Sequence, residues 1–214
     1  MNRIIALLIL LVPISVGIFA YQDLPDQLAI HFGPNGEPDG YQSKQTFFPV
    51  YVLLSAIVMG VLPLARKVDP KKENYAKFAK AYSMIQVLVA LILGGTFTHL
   101  LLYNLGIKPV GAEVFAKLLL GLAWLVIGNY LPQLRSNYFM GIRTPWTLAH
   151  PEVWRKTHRI SGPIWVIAGG LMILSAFLPF GRGSSWPMLI LPLISAIIPV
   201  GYSYLVYRKV EESR

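Results

Sequence analysis

Ala81-Tyr-Ser-Met-Ile-Gln-Val-Leu-Val-Ala-Leu-Ile-Leu-Gly-Gly-Thr-Phe-Thr-His-Leu-Leu-Leu-Tyr-Asn-Leu105 runs for 25 residues without an Asp, Glu, Lys or Arg. As an α-helix rising about 1.5 Å per residue it spans roughly 37 Å, more than the ~30 Å hydrocarbon core of a bilayer. Five further runs surround it: Ile4–Tyr21, Phe47–Ala65, Val114–Leu131, Pro163–Phe180 and Trp186–Tyr207. The fourth run in chain order carries Lys117 in its first turn, with Glu113 four residues earlier, a spacing that lets the two pair on one face at the membrane edge. The sequence therefore predicts an all-α integral membrane protein with six transmembrane helices. Arg3 ahead of the first run suggests a signal peptide, but Ile18 of the candidate Ile18-Phe19-Ala20 site stands where cleavage wants a small residue, so the run reads as an uncleaved span.

The composition agrees. Of 214 residues 55% are hydrophobic and 14% charged, where soluble chains carry about 25% charged residues. That excludes a disordered chain and argues against a soluble globular domain. The absence of cysteine excludes disulfide frameworks, thiolate metal sites and cysteine nucleophiles.

The net charge of +9 could signal nucleic acid, and its placement decides otherwise. Residues 66–80 hold Arg66, Lys67, Lys71, Lys72, Lys77 and Lys80; residues 132–162 hold Arg135, Arg143, Arg155, Lys156 and Arg159; Arg3, Arg208, Lys209 and Arg214 lie at the ends. That puts 15 cations on one side of a six-span chain, against Lys44, Lys108 and Arg182 on the other. The positive-inside rule then places both termini in the cytoplasm. The charge is a topology signal, and no direct nucleic-acid contact is expected.

Within the spans chemistry is sparse. His99 is the only histidine, and Gln86, Thr96, Thr98 and Asn129 suit helix–helix hydrogen bonding better than ligand binding. A coupled pump would place ionisable groups at membrane depth. Pro187, Pro192 and Pro199 should kink the last span, with neighbouring helices taking the freed carbonyls. Asp69-Pro70 reads as an N-cap and first-turn proline, starting the third helix in the cytosol with Lys71, Lys72, Lys77 and Lys80 near anionic headgroups.

Two loops are specific. In the outer loop, residues 22–46, Leu28, Ile30 and Phe32 alternate with Gln27, Ala29 and His31 as in a short strand, and Gly33–Gly40 supplies turn signals. Asp23, Asp26, Glu37 and Asp39 make this loop acidic. It reads as a solvated connector, as a docking surface for a cationic peptide, or as a calcium site on Asn35, Glu37 and Asp39, although that spacing fits no EF-hand. The inner loop, residues 132–162, reads Asn137-Tyr138-Phe139-Met140-Gly141-Ile142-Arg143-Thr144-Pro145-Trp146-Thr147-Leu148, and His150-Pro151-Glu152 then opens a helix. Val153, Trp154, Thr157 and Ile160 share an arc of that helix, and Arg155, Lys156 and Arg159 lie mostly away from it. It should rest along the inner leaflet with Trp146 and Trp154 at headgroup depth. Trp154 and His158, four residues apart, share a face.

No zincin, phosphate-loop or nucleophile-elbow pattern occurs, so neither catalytic residues nor a cofactor or metal site are expected. Leu24-Pro25…His31-Phe32 and Leu131-Pro132…Tyr138-Phe139 have the same spacing on opposite faces, as a 3+3 inverted repeat would give.

The two loops also carry a family resemblance. Leu24–Lys44, with its Leu-Pro-Asp, Ile-His-Phe and Gly-Glu-Pro-Asp-Gly-Tyr pieces, resembles a domain of unknown function that often precedes SdpI domains. Asn137–Gly162, with Asn-Tyr-Phe-Met-Gly-Ile-Arg-Thr-Pro-Trp-Thr-Leu and Val-Trp-Arg-Lys-Thr-His-Arg, is similar to the SdpI signature. The resemblance implies an immunity protein of the bacterial cell membrane that protects against a secreted toxic peptide. It further implies signalling, by holding a small cytosolic helix-turn-helix autorepressor at the membrane. It assigns no catalytic residues.

On this reading residues 1–66 form a two-span unit with the acidic loop, 67–131 hold spans three and four, and 132–214 form an SdpI-type unit. His31, Phe32, Glu37, Asp39 and Tyr41 are expected on the toxin-facing surface. Asn137, Tyr138, Gly141, Arg143, Thr144, Trp146, Trp154, Arg155 and His158 are expected on the cytoplasmic one. Membrane lipids are the remaining expected partner. A carrier or channel for a neutral or lipid-like molecule is the alternative, favoured by the proline-rich last span and the possible inverted repeat.

Overall fold

The computed structural model describes residues 2–33, 36–107, 110–178, 181 and 183–213. The elements are α1 (Asn2–Phe19), β1 (Gln27–Phe32), β2 (Pro38–Ser43), α2 (Lys44–Val68), a 3₁₀ helix (Lys72–Phe78), α3 (Ala79–Asn104) and α4 (Ala112–Tyr130). A short 3₁₀ turn (Leu131–Gln133), α5 (Pro145–Ala149), α6 (Pro151–Ser175) and α7 (Trp186–Glu212) follow. Among the described residues, five helical stretches are long and apolar enough to cross a membrane: Asn2–Phe19, Lys44–Val68, Lys72–Asn104, Ala112–Gln133 and Trp186–Glu212.

α6 departs from the expectation. It is one unbroken helix, so residues 151–162 are not a separate surface helix. It ends at Ser175, whereas the sequence suggested apolar helix as far as Phe180; Pro179 and Phe180 lie outside the described residues. Its first half carries Glu152, Arg155, Lys156 and Arg159, and residues 163–175 alone reach only about 20 Å. Lys108, Arg182 and Arg214, used in the charge count, also lie outside the described residues.

The chain divides into two compact units. The first comprises Met1–Pro63 and Gln86–Ala116. Its core gathers Ala6, Leu10, Leu24, Leu28, Phe47, Tyr51, Ala90, Phe97 and Leu101. The Phe97 ring stacks with both Tyr51 (3.7 Å between centroids) and Phe47 (4.0 Å), and the Tyr51 hydroxyl donates to the Leu10 carbonyl at 3.0 Å. Pro13 lacks the N–H that would take the Ile9 carbonyl, and Gly94 of α3 lies against that carbonyl: a Cβ there would sit 2.9 Å from the oxygen. Beside the helices stands an antiparallel hairpin, β1–β2, whose first strand is the short strand the alternation suggested; it pairs Gln27 with Ser43, Leu28 with Gln42 and Ala29 with Tyr41 before two irregularities near the turn.

The second unit comprises Leu64–Ile85 and Lys117–Arg214. α4 and α6 pack antiparallel through glycines spaced by seven: Gly121 opposes Gly169 and Gly128 opposes Gly162. A Cβ on any of the four would fall within 3.0 Å of the opposing glycine's carbonyl oxygen. Only hydrogen on these Cα atoms lets the backbones approach this closely, the small-residue packing of membrane helices. α7 runs without a break through Pro192 and Pro199, and Pro187 occupies its first turn where no donor is lost. Pro199 deprives the Ser195 carbonyl of its helical donor, and Trp165 Nε1 of α6 donates to that oxygen at 2.9 Å. A neighbouring helix therefore satisfies the freed group, as expected. Lys117 is fully buried and donates to the Gly181 carbonyl at 2.5 Å.

Candidate functional site

Two sites follow from this fold. The first is the hairpin. Asn104, the last residue of α3, clamps it: Asn104 Oδ1 accepts from Ala29 N at 2.8 Å and Asn104 Nδ2 donates to Ala29 O at 3.0 Å. Phe32 packs edge-on to Tyr103 (4.7 Å) and to His99, which is itself held by the Val110 carbonyl (2.7 Å) and the Phe115 ring (4.2 Å). Lys44 closes the base, donating to the Leu24 carbonyl and pairing with Asp26, both at 3.1 Å. Leu28 and Ala29 are both buried, so the strict alternation expected of β1 fails at Ala29, where Asn104 covers it. Among the five residues expected on the outer surface, His31 and Asp39 pair with each other, Glu37 and Tyr41 are exposed, and Phe32 is half-buried. Asn35 of the calcium reading lies outside the described residues.

The second site is a buried polar knot in the second unit. Asp69 opens the turn that leads into the 3₁₀ segment, its carboxylate taking Lys71 N (2.7 Å) as a cap would and also the Tyr75 hydroxyl (2.8 Å) and Tyr138 N (2.9 Å). Burial, with the Asp69 carboxylate beside it, raises the Tyr75 pKa and keeps the phenol protonated. Lys71 Nζ donates to Ser136 Oγ (2.7 Å) and the Leu148 carbonyl (3.0 Å) and lies 5.3 Å over the Tyr138 ring. Asn74 Nδ2 donates to the Ser136 carbonyl at 2.9 Å. This 3₁₀ segment thus holds the start of the motif loop.

Inside the loop, Asn137 builds a turn by accepting from Phe139 N and Met140 N and donating to the Arg135 and Met140 carbonyls. Gly141 has φ of +100°, and a Cβ there would overlap the His158 ring. Thr144 and Thr147 cap α5 reciprocally. His158 Nδ1–H donates to the Trp154 carbonyl (2.8 Å) and Nε2 accepts from Ile142 N (3.0 Å), so the neutral ring bridges α6 and the loop. Burial pushes its pKa down to about 4. Trp154 stacks on His158 at 4.1 Å and donates to the Leu134 carbonyl. It is 2% exposed and so packs inside the protein, not against lipid headgroups. Trp146 is half-buried and donates to Ser203 Oγ of α7 at 2.5 Å.

Residues 133–203 match the SdpI/YfhL protein family, and residues 8–59 match a domain of unknown function, DUF1648. The chain thus carries an SdpI/YfhL segment behind a DUF1648 segment. It is 28% identical over 216 residues to a protein named Immunity protein SdpI from Bacillus subtilis (strain 168), covering 100% of this chain and 99% of that relative. No solved structure matches it.

The SdpI-type motif divides in two. Asn137, Thr144, Trp154 and His158 are buried and hold the loop's shape, whereas Tyr138, Phe139, Arg143 and Arg155 face outward. Asp69, Lys71 and Asn74 lie outside both family segments and were not singled out as site residues from the sequence. The only available signal was an acid next to a proline, between Lys67 and Lys71 in a strongly basic stretch. The Leu-Pro similarity does not extend to local conformation, since Gln27–Phe32 is a strand while the corresponding residues 134–139 form neither strand nor helix.

Proposed function

We propose that the chain is a membrane immunity protein that protects a bacterium from a secreted toxic peptide. The observation that carries this reading is end-to-end similarity to a protein named for immunity, across both family segments. In this reading the chain crosses the membrane six times, with α6 supplying the fifth crossing through its apolar half. Both termini lie in the cytoplasm, in keeping with the placement of 15 of the 19 Lys and Arg residues. The hairpin then faces outward, where His31, Phe32, Glu37, Asp39 and Tyr41 meet the toxin. The motif loop faces the cytosol, where Tyr138, Arg143, Trp146 and Arg155 offer a basic, aromatic surface for a small repressor.

Expression of the chain in toxin-sensitive cells tests the function directly: survival should rise against at least one secreted peptide of related bacteria, and unchanged killing by all of them removes the reading. Because the chain has no cysteine, single cysteines at Glu37 and Arg155 report orientation without background. An impermeant maleimide should label the first in intact cells and the second only after lysis.

A carrier or channel for a neutral or lipid-like molecule is the second reading. It is favoured by an apolar cleft of about 460 Å³ in the first unit, lined by Ile9, Val12, Gly94, Thr98, His99 and Phe115 among others. Solute flux into liposomes containing only this chain would establish that reading.

A further inference from the structure

A two-stranded sheet has two edges, and here they are treated differently. The carboxamide of Asn104 accepts from Ala29 N and donates to Ala29 O, doing for β1 what one peptide group of a third strand would do. Ala29 therefore directs its N–H and C=O away from β2. In an antiparallel ladder, directly opposed residues point the same way relative to the pair, both inward or both outward. Ala29 opposes Tyr41, so Tyr41 directs its own N–H and C=O to the far edge. The phase is checked three steps along: Asp26 and Lys44 fall on an inward pair, and Lys44 N donates to Asp26 O at 3.0 Å. Ser43, outward like Tyr41, has its carbonyl taken by the Thr46 hydroxyl at 3.1 Å. Among the described residues no side chain closes the edge at Tyr41 as Asn104 closes the opposite one.

An open edge of peptide groups recognises another peptide backbone. The surroundings state which kind. The loop carries Asp23, Asp26, Glu37 and Asp39 against Lys44 alone, in a chain of net charge +9. The side chains of Asp26 and Asp39 are 91% and 52% exposed. A second copy pairing edge to edge would set acid against acid, whereas a cationic strand would be attracted. At the Lys44 end of β2 lies an apolar cleft of about 490 Å³, lined by Ile14, Ile18, Tyr21, Phe48, Pro49 and Val52 among others. We infer that the β2 edge at Tyr41 docks an extended segment of cationic and apolar residues by strand addition. Resting on the immunity reading, this segment belongs to the toxin.

The test has a binding arm and a cell arm. In the first, the full chain in lipid nanodiscs is titrated with a fluorescein-labelled, acetylated and amidated decapeptide of alternating Lys and Val. Tyr41→Pro removes the outward N–H without touching a ladder bond, since proline is tolerated on edge strands. It should weaken binding at least tenfold, while Tyr41→Thr, which loses the ring and keeps the backbone N–H, should bind at least threefold more tightly than Tyr41→Pro. A decapeptide N-methylated at every residue keeps the charges and loses the donors, and should fail to bind the unaltered protein. Equal binding by Tyr41→Pro, equal binding of the methylated peptide, or no binding at all overturns the edge. If Tyr41→Pro turns a solution dimer into a monomer, the edge pairs copies of this chain and the proposal falls.

In the cell arm, Tyr41→Pro should abolish the protection that wild type confers, at equal membrane abundance. Full protection by Tyr41→Pro removes the toxin from this edge and leaves the immunity reading standing. Absence of protection by wild type removes the immunity reading and the toxin assignment together, while the nanodisc result still reports the edge.

Discussion

Gly169 and Gly170 are neighbours on α6, and the structure assigns them opposite responses to the same substitution. A Cβ on Gly169 would lie 2.6 Å from Gly121 O, 2.8 Å from Leu125 N and 2.9 Å from Trp124 Cβ, whereas one on Gly170 would meet nothing within 4 Å. Two of the three atoms facing Gly169 are backbone, so no rotamer change relieves the overlap and α4 and α6 must separate by several tenths of an ångström. Replacing Gly with Ala inside a helix gains up to about 1 kcal/mol from backbone entropy, at both positions alike. Overpacking a close contact costs about 1–3 kcal/mol. Gly170→Ala should therefore stabilise the protein by up to about 1 kcal/mol. Gly169→Ala should lie about 1–3 kcal/mol below it, because the propensity gain cancels in the comparison. Gly121→Ala meets the same interface from the other helix, and the double mutant should lose less than the sum, since helices already parted have less to lose. Equilibrium unfolding of the full chain in mixed micelles, titrated with SDS and followed by tryptophan fluorescence, measures all four. Equal stability of Gly169→Ala and Gly170→Ala would refute the close glycine contact.

The other predictions concern the polar knot and the last helix. Asp69→Asn places an amide donor among Lys71 N, Tyr75 OH and Tyr138 N, and should lower stability by about 2–3 kcal/mol in the same titration; a loss below 0.5 kcal/mol, on the order of one exposed contact, would sink the account. His158 has a folded pKa of about 4 against an ordinary 6.5, so as pH falls from 6.5 the unfolded chain gains a proton that the folded chain refuses. Stability should be flat above about pH 7 and fall by up to about 1.4 kcal/mol per unit between 6.5 and 4. His158→Gln should remove that segment of slope, and an unchanged profile would show that the histidine is not its source. Trp165→Phe removes the donor to the Ser195 carbonyl and should cost about 1 kcal/mol. Adding Pro199→Ala restores a helical N–H to that carbonyl and should recover most of the loss, whereas independent effects would contradict the pairing.

The sequence revealed most where one physical signal dominated. Apolar runs free of charge located the long helices, because burying charge in a bilayer is costly enough to leave a mark at every position. Pro199 announced a freed carbonyl, although the partner Trp165 is 34 positions away and nothing local points to it. The limits were set by tertiary pairing. β2 contains Pro38, Gly40, Gln42 and Ser43, a poor strand sequence, and it forms because Leu28 and Ala29 are buried beneath the end of α3. α6 reads as two pieces in the sequence because its charged and apolar halves suit different environments, while the backbone continues through Pro163 without interruption. Asp69 takes the cap-like donor Lys71 N that Asp-Pro implies, but its other two donors come from Tyr75 and from Tyr138, 69 residues away, and nothing local points to them. Gly121, Gly128, Gly162 and Gly169 carry no legible signal in the sequence, since glycine in a helix signals nothing until the facing helix is known.

The division within the motif loop bears on where its function can reside. A long signature invites the reading that every residue in it meets a partner, yet the most distinctive ones are occupied internally. Asn137 spends its carboxamide on four backbone groups, His158 spends both ring nitrogens, Trp154 its indole N–H, and Gly141 yields the space that the His158 ring needs. Substituting these residues should lower the amount of folded protein before it alters recognition. A partner at this surface has to be read by the groups the fold leaves outward: the exposed rings of Tyr138 and Phe139 and the guanidinium of Arg155, with Arg143 tied back to the Tyr138 carbonyl at 2.6 Å. Phe139→Ser and Arg155→Ser should therefore leave the unfolding midpoint within the ~0.5 kcal/mol typical of surface changes while abolishing any signalling the loop performs. Loss of signalling only in variants that also unfold would place the function elsewhere.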